Sequence, residues 1–256
     1  MGPRSYNLYH HPYSVCSIMV RYTLALAGEP RDTDSAMDIE EKVIDIFHNA
    51  QLDEEYLCNV NPKGQVPVLK SSSLVKPLPD SVAITHFIAE HYPALFPAAH
   101  APEITRLLKE LHRLNFFSLC FGNRPQVAQG FVKALHDRLG REDITKEYRR
   151  ALEYKLSVTQ EEKVKGVDSD TITHTEQRAR AVVKELETLL VDGQPWLFGS
   201  KRPSALDAHF VVFLRRMRDV KREDLLSRRL IQYCDEAMTM PEWEKVMEGR
   251  KTMVAA

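Results

Sequence analysis

The rhythm of apolar and polar positions changes near residue 92. Before it, short runs with strand-like alternation take turns with runs of helical spacing. After it, only the helical spacing recurs. Residues 6–9 predict a first strand, and residues 15–27 predict a helix that Gly28 stops. Residues 41–47 alternate polar and apolar, as a half-buried strand does, and 53–58 predict a short helix broken by Asn61-Pro62. Residues 65–70 and 73–78 are two apolar runs separated by serines, which is a hairpin pattern. Residues 80–91 open with Asp80-Ser81 and place Val82, Ile84, Phe87 and Ile88 on one helical face. The predicted order is β-α-β-α-β-β-α. Its βαβ unit requires a parallel pair, and its hairpin adds antiparallel strands at one edge.

Residues 93–102 are rich in Pro and Ala without periodicity, which predicts a linker. Helices are then predicted over 103–121, 124–139, 145–162, 173–190, 205–220 and 224–239, with a tail helix from Pro241. The expected organisation is an α/β domain over 1–92, the linker over 93–102, and an all-α domain over 103–256. Segment 138–170 is dense in charge with thin apolar spacing. It reads as a solvated helix and a mobile connection, not a binding arm.

Composition removes several classes of function. The chain is 43% hydrophobic and 28% charged, a globular balance, and its net charge of -1 argues against nucleic acid or an anionic membrane as partner. The four cysteines are scattered, with no spacing suited to zinc, so no metal is expected. Neither a secretory signal nor a membrane span is legible, which predicts a cytoplasmic protein. Reactive side chains gather where the first strand hands over to the first helix: His10, His11, Tyr13, Ser14, Cys16 and Ser17.

A small β-α-β-α-β-β-α domain followed by helices resembles the glutathione transferase superfamily, and the likeness spans nearly the whole chain. It implies an α/β thioredoxin-like domain and an all-α domain that forms the substrate pocket. Residues 61–69, NPKGQVPVL, are similar to that family's NP-x-x-x-VP-x-L segment, whose proline after valine is cis. The resemblance implies a cis Val66-Pro67 bond and a Val66 backbone that pairs with the cysteinyl part of glutathione. Asp80-Ser81 is similar to the family's acidic-Ser pair at a helix N-terminus. There Ser81 would hold the γ-glutamyl carboxylate and Asp80 the α-ammonium, as free N–H groups and the helix dipole favour. Ser204 and Asp207 resemble the family's N-capping box, a structural feature.

Classes of the superfamily differ in the group that faces the glutathione sulfur. Ser14 precedes Arg21 by the family's seven positions, and the run from Ser14 to Gly28 is similar to the zeta class, the maleylacetoacetate isomerases. The chain departs from that signature at Val15, where the class has a second serine. The resemblance therefore implies Ser14 as the catalytic hydroxyl, with Tyr9 and Cys16 as rivals. A thiol has a pKa near ~8.5 and only its thiolate is a good nucleophile, so a donor at a helix N-terminus is the help required. Gln51 and His48 are the candidates for the glycine carboxylate of glutathione. His11, Tyr13, Asn115, Phe116, Leu119 and Asn123 are expected near the acceptor pocket.

The implied activity is addition of glutathione thiolate to an electrophilic carbon of a small hydrophobic substrate. It ends either in conjugation or in cis–trans isomerisation with glutathione regenerated. A non-catalytic interaction module is the alternative, and a homodimer is implied by the resemblance.

Overall fold

Strand β1 (Arg4–His10) buries alternate side chains, Tyr6, Leu8 and His10, as a period of two requires. The computed structural model describes residues 4–254. Helix α1 (Val15–Ala25) follows, capped by Ser14, and buries a continuous patch from Ser17 to Thr23. Strand β2 (Met37–Val43) runs parallel to β1, with Leu8 opposite Glu41. After the short helix α2 (Glu54–Asn59), strands β3 (Val68–Lys70) and β4 (Leu78–Pro79) add antiparallel neighbours, giving the order β2-β1-β3-β4. Helix α3 (Ser81–His91) closes this part with the predicted element order.

The rest of the chain is helical: α4 (Ala101–His112), α5 (Phe116–Phe121), α6 (Pro125–Leu139), α7 (Lys146–Thr159), α8 (Ser169–Glu187), α9 (Ala205–Asp219), α10 (Arg228–Ala237) and α11 (Pro241–Met247). Helix α9 is the axis of the packing, buried without interruption from Ala205 to Leu214. Its capping box is complete: Ser204 Oγ accepts from Asp207 N–H, and Asp207 accepts from Ser204 N–H at 2.7 Å. One hydrophobic cluster runs from Tyr6 and Leu8 through Ile18 and Met19 to Phe210 and Phe213, joining the sheet to α9. A fully buried Phe of this kind contributes about 1.5–3 kcal/mol through burial alone.

Three expectations are corrected. The second strand spans Met37–Val43, not 41–47, because Asp45 ends it: its carboxylate accepts from the N–H groups of Phe47 and His48 and turns the chain. The helix expected over 103–121 is two helices. Asn115 leaves the helical region and caps α5, its side chain accepting from Ser118 N–H at 3.1 Å.

Segment 138–170 is neither solvated throughout nor a mere connection. Tyr148 and Leu152 of α7 pack against Leu52 and Leu57, and the Tyr148 hydroxyl donates to Leu52 O at 2.6 Å. Beyond α7 the chain widens into a π-helical turn at Gln160–Val164 and tightens into a 3-10 turn at Lys165–Val167. Gly166 in that turn accepts Ser118 Oγ–H at 2.6 Å, and a Cβ there would lie 2.9 Å from Asn115 Nδ2, so a larger residue would push the Asn115 amide aside.

Candidate functional site

Two cavities adjoin at the N-terminal end of α1. The first, about 470 Å³, is walled by Cys16, the 61–67 loop, Asp80-Ser81, His112 and Asn115. The second, about 380 Å³, is mostly apolar, with Tyr13, Ser14, Phe47, Phe121, Phe131 and Val254 in its wall. Phe116, Phe117 and Lys163 line both and mark the junction.

In the first cavity the Val66-Pro67 peptide bond is cis. The loop is held by the Tyr56 hydroxyl and the Asn61 amide, which both donate to Gln65 O at 2.7 and 2.9 Å. Among the described residues the Val66 N–H and C=O have no partner, so both are available to an extended ligand.

Asp80 sits at φ 81°, a left-handed conformation that is rare for aspartate, and its carboxylate caps α3 by accepting from Ala83 N–H at 2.9 Å. Ser81 is buried beside it. Its hydroxyl lies 3.3 Å from His112 Nδ1, His112 Nε2 lies 2.7 Å from His209 Nδ1, and His209 Nε2 lies 2.8 Å from Thr85 Oγ1. Burial pushes His112 down to about 4, with Asp80 acting weakly the other way, and holds His209 well below its ordinary value. The pair is therefore neutral at neutral pH.

Ser14 caps α1 from the second cavity. Its oxygen accepts from Ser17 N–H at 3.4 Å, which leaves its own hydrogen free to donate. Cys16 offers no competing nucleophile, since burial pushes its thiol up to about 11. Arg21 is structural: it donates to Glu41 at 2.8 Å and to Val246 O at 2.9 Å, tying α1 to β2 and α11. Tyr9 lies outside both cavity walls, edge-on to Tyr56.

The other sequence candidates divide. Val66, Pro67, Asp80, Ser81, Asn115 and Phe116 share the first cavity, and Ser14 and Tyr13 join Phe116 in the second. His11 stands behind that wall, its ring edge-on to Phe47. His48 is solvent-exposed, paired to Asp45 at 2.6 Å, and Gln51 is buried with its Oε1 unpartnered; neither lines a cavity of the site. Leu119 and Asn123 line neither of these cavities and border a separate one beside Ile172 and Glu176.

Sequence reasoning missed Lys63, His112 and Lys163. His112 extends the apolar stripe of α4 one turn beyond Leu108, a usable signal. Lys163 lies in a run of charges that announces nothing.

Neither a family model nor a curated protein matches the chain. Solved structures do. Glutathione transferase F7 from Populus trichocarpa is similar over 95% of this chain and 98% of its own, at 21% identity and TM-score 0.60. Maleyl pyruvate isomerase, a bacterial glutathione S-transferase in zeta class, is similar over 94% and 95%, at 22% identity and TM-score 0.59. A Sulfitobacter glutathione transferase homologue with bound glutathione is similar over 95% and 97%, at 16% identity and TM-score 0.60. The chain has the glutathione transferase fold: an α/β region with a four-stranded mixed sheet, followed by a mostly helical region.

Proposed function

We propose that the α/β region binds glutathione in the first cavity and that the helical part from α4 onward completes an acceptor pocket in the second. The bound thiolate adds there to an electrophilic carbon of a small hydrophobic substrate. One observation carries this reading most. A peptide backbone at Val66 with both polar groups unpaired faces the same cavity as Ser81 at the start of α3. That set suits a short peptide ending in an α-amino acid: Val66 pairs with its backbone, Ser81 donates to its carboxylate, and Asp80 meets its ammonium. The peptide's thiol then reaches the junction, where the Ser14 hydroxyl and the α1 N-terminus favour the thiolate.

The protein's task is to bind, orient and ionise a thiol that it does not itself supply. In Ser14→Ala, kcat should fall about 100-fold and the pKa of the bound thiol should rise, read from thiolate absorbance, while glutathione affinity stays within about twofold. An unchanged kcat and thiolate absorbance would move the role away from Ser14. Failure of the folded wild type to bind glutathione in calorimetry would remove the reading altogether and leave the non-catalytic module.

Two outcomes share the addition step, and the zeta-like first helix raises isomerisation to a par with conjugation. Product mass separates them: a geometric change at constant mass is isomerisation, and a gain of one glutathione is conjugation.

A further inference from the structure

Lys163 stands at the junction of the two cavities with nothing polar to hold. It is carried by the π-helical turn after α7, and its amine lies 3.4 Å from the centre of the Phe131 ring and 5.3 Å from that of Phe117. Phe131 belongs to the apolar cavity alone, which places the amine on the acceptor side of the junction. Among the described residues it makes no hydrogen bond and no ion pair. The neighbouring Glu162 is engaged elsewhere, accepting from the Gln65 amide.

The second cation of the apolar cavity, Arg216, is consumed by structure. It donates to Thr252 Oγ1 at 3.1 Å, to Tyr13 O at 2.7 Å and to Thr252 O. Among the described residues, Lys163 therefore has the uncommitted N–H donors in a pocket walled mostly by aromatic and aliphatic side chains. Burial first, and the Lys155 ammonium second, push it down to about 7 against the pull of Glu162. An anionic oxygen in the pocket reverses that cost.

We infer that Lys163 binds the oxygen of a conjugated carbonyl acceptor and stabilises the enolate that forms when thiolate adds to its C=C bond. This rests on the proposed glutathione-dependent function and assigns its substrate class: an α,β-unsaturated carbonyl compound with an apolar body seated on Phe116, Phe117 and Phe131. In the step, the thiolate electron pair forms the C–S bond at the β-carbon. The C=C π pair moves to join Cα to the carbonyl carbon, and the carbonyl π pair comes to rest on oxygen, opposite the Lys163 ammonium. Protonation at Cα yields the conjugate. Alternatively the former double bond rotates, the electrons return, and the C–S bond breaks to release thiolate with geometry changed.

Two acceptors test it: 4-phenyl-3-buten-2-one, whose addition places charge on oxygen, and benzyl bromide, whose displacement releases bromide and develops no oxyanion. Glutathione affinity is measured alongside by calorimetry. In Lys163→Met, kcat/KM for the enone should fall about 100-fold, with benzyl bromide turnover and glutathione affinity within about twofold and Lys163→Arg restoring most of the enone rate. Equal losses on both acceptors, an unchanged enone rate, or weakened glutathione binding as the main effect would each overturn the assignment. Wild type that binds glutathione but does not turn over the enone also overturns it while the glutathione reading stands. Wild type that binds no glutathione removes that reading instead.

Discussion

Ser81 and Ser14 are both serines at helix starts, yet the structure gives their hydroxyls different freedom. Ser14 accepts one backbone N–H and keeps its hydrogen. Ser81 ends a hydrogen-bonded chain through His112 and His209 to Thr85, which has two proton arrangements. In one, Ser81 donates inward to His112. In the other, Thr85 donates to His209, His209 to His112, and His112 Nδ1–H to Ser81, which frees the Ser81 hydrogen for a carboxylate. Both arrangements require neutral histidines, and their burial supplies that condition.

The two residues should accordingly fail in different measurements. Ser81→Ala should weaken glutathione binding about 10–100-fold, the worth of a hydrogen bond to a charged group, with little change in kcat at saturation. A Ser81→Ala protein with normal affinity and depressed kcat would exchange the roles proposed for the two serines. That Val66, Asp80 and Ser81 share one cavity was legible in the sequence because each belongs to a local backbone motif: a loop, a cap and a helix start. The places of His112 and Lys163 in its wall were not, because they depend on partners distant along the chain.

Among the elements, helices were easier to read than strands. Helix α9 announces itself through its capping box and its long apolar run, whereas β2 is an edge strand with exposed Glu40, Glu41 and Val43, so alternation alone misplaced it. The α4/α5 break was readable from Asn115 as a cap. The π turn was not, since its shape follows from packing between α5 and α6 and not from local preference.

The α4–α9 contact at His112 and His209 also has a pH signature. Their folded pKa values lie below the ordinary 6.5, so the unfolded chain binds more protons between that value and about 4, where His112 titrates in the fold. Stability should thus be full above pH 6.5 and decline as pH falls toward 4. His209→Gln should flatten that decline, as denaturant melts at pH 7, 6 and 5 would reveal. A variant whose stability falls as steeply as wild type's would mean that other groups govern the acid limb.

Across the whole molecule, the loop that carries Ser14 is anchored from the far end of the chain. Arg216 on α9 donates both to Tyr13 O and to Thr252, and Thr252 in turn donates its N–H and hydroxyl to Asp219 at 2.8 and 2.7 Å. Asp219 is also paired with Arg215 at 2.9 Å. This knot fixes three things together: the first loop, the axial helix, and the segment with Met253 and Val254 that walls the apolar cavity. Nothing in sequence pattern brings residue 13 to residue 252, since such a contact follows only from the assembled tertiary fold.

Thr252→Val keeps the shape of the side chain and removes its hydroxyl from a buried network, leaving Arg216 Nε without its acceptor. It should cost about 1–3 kcal/mol in a denaturant melt. Because Met253 and Val254 line the apolar cavity and not the first one, KM for a hydrophobic acceptor should rise several-fold while glutathione affinity holds. If stability falls but the acceptor KM does not move, the knot serves only to hold the chain end. If both affinities weaken together, the anchor on Tyr13 O governs the whole junction, and the two cavities behave as one site.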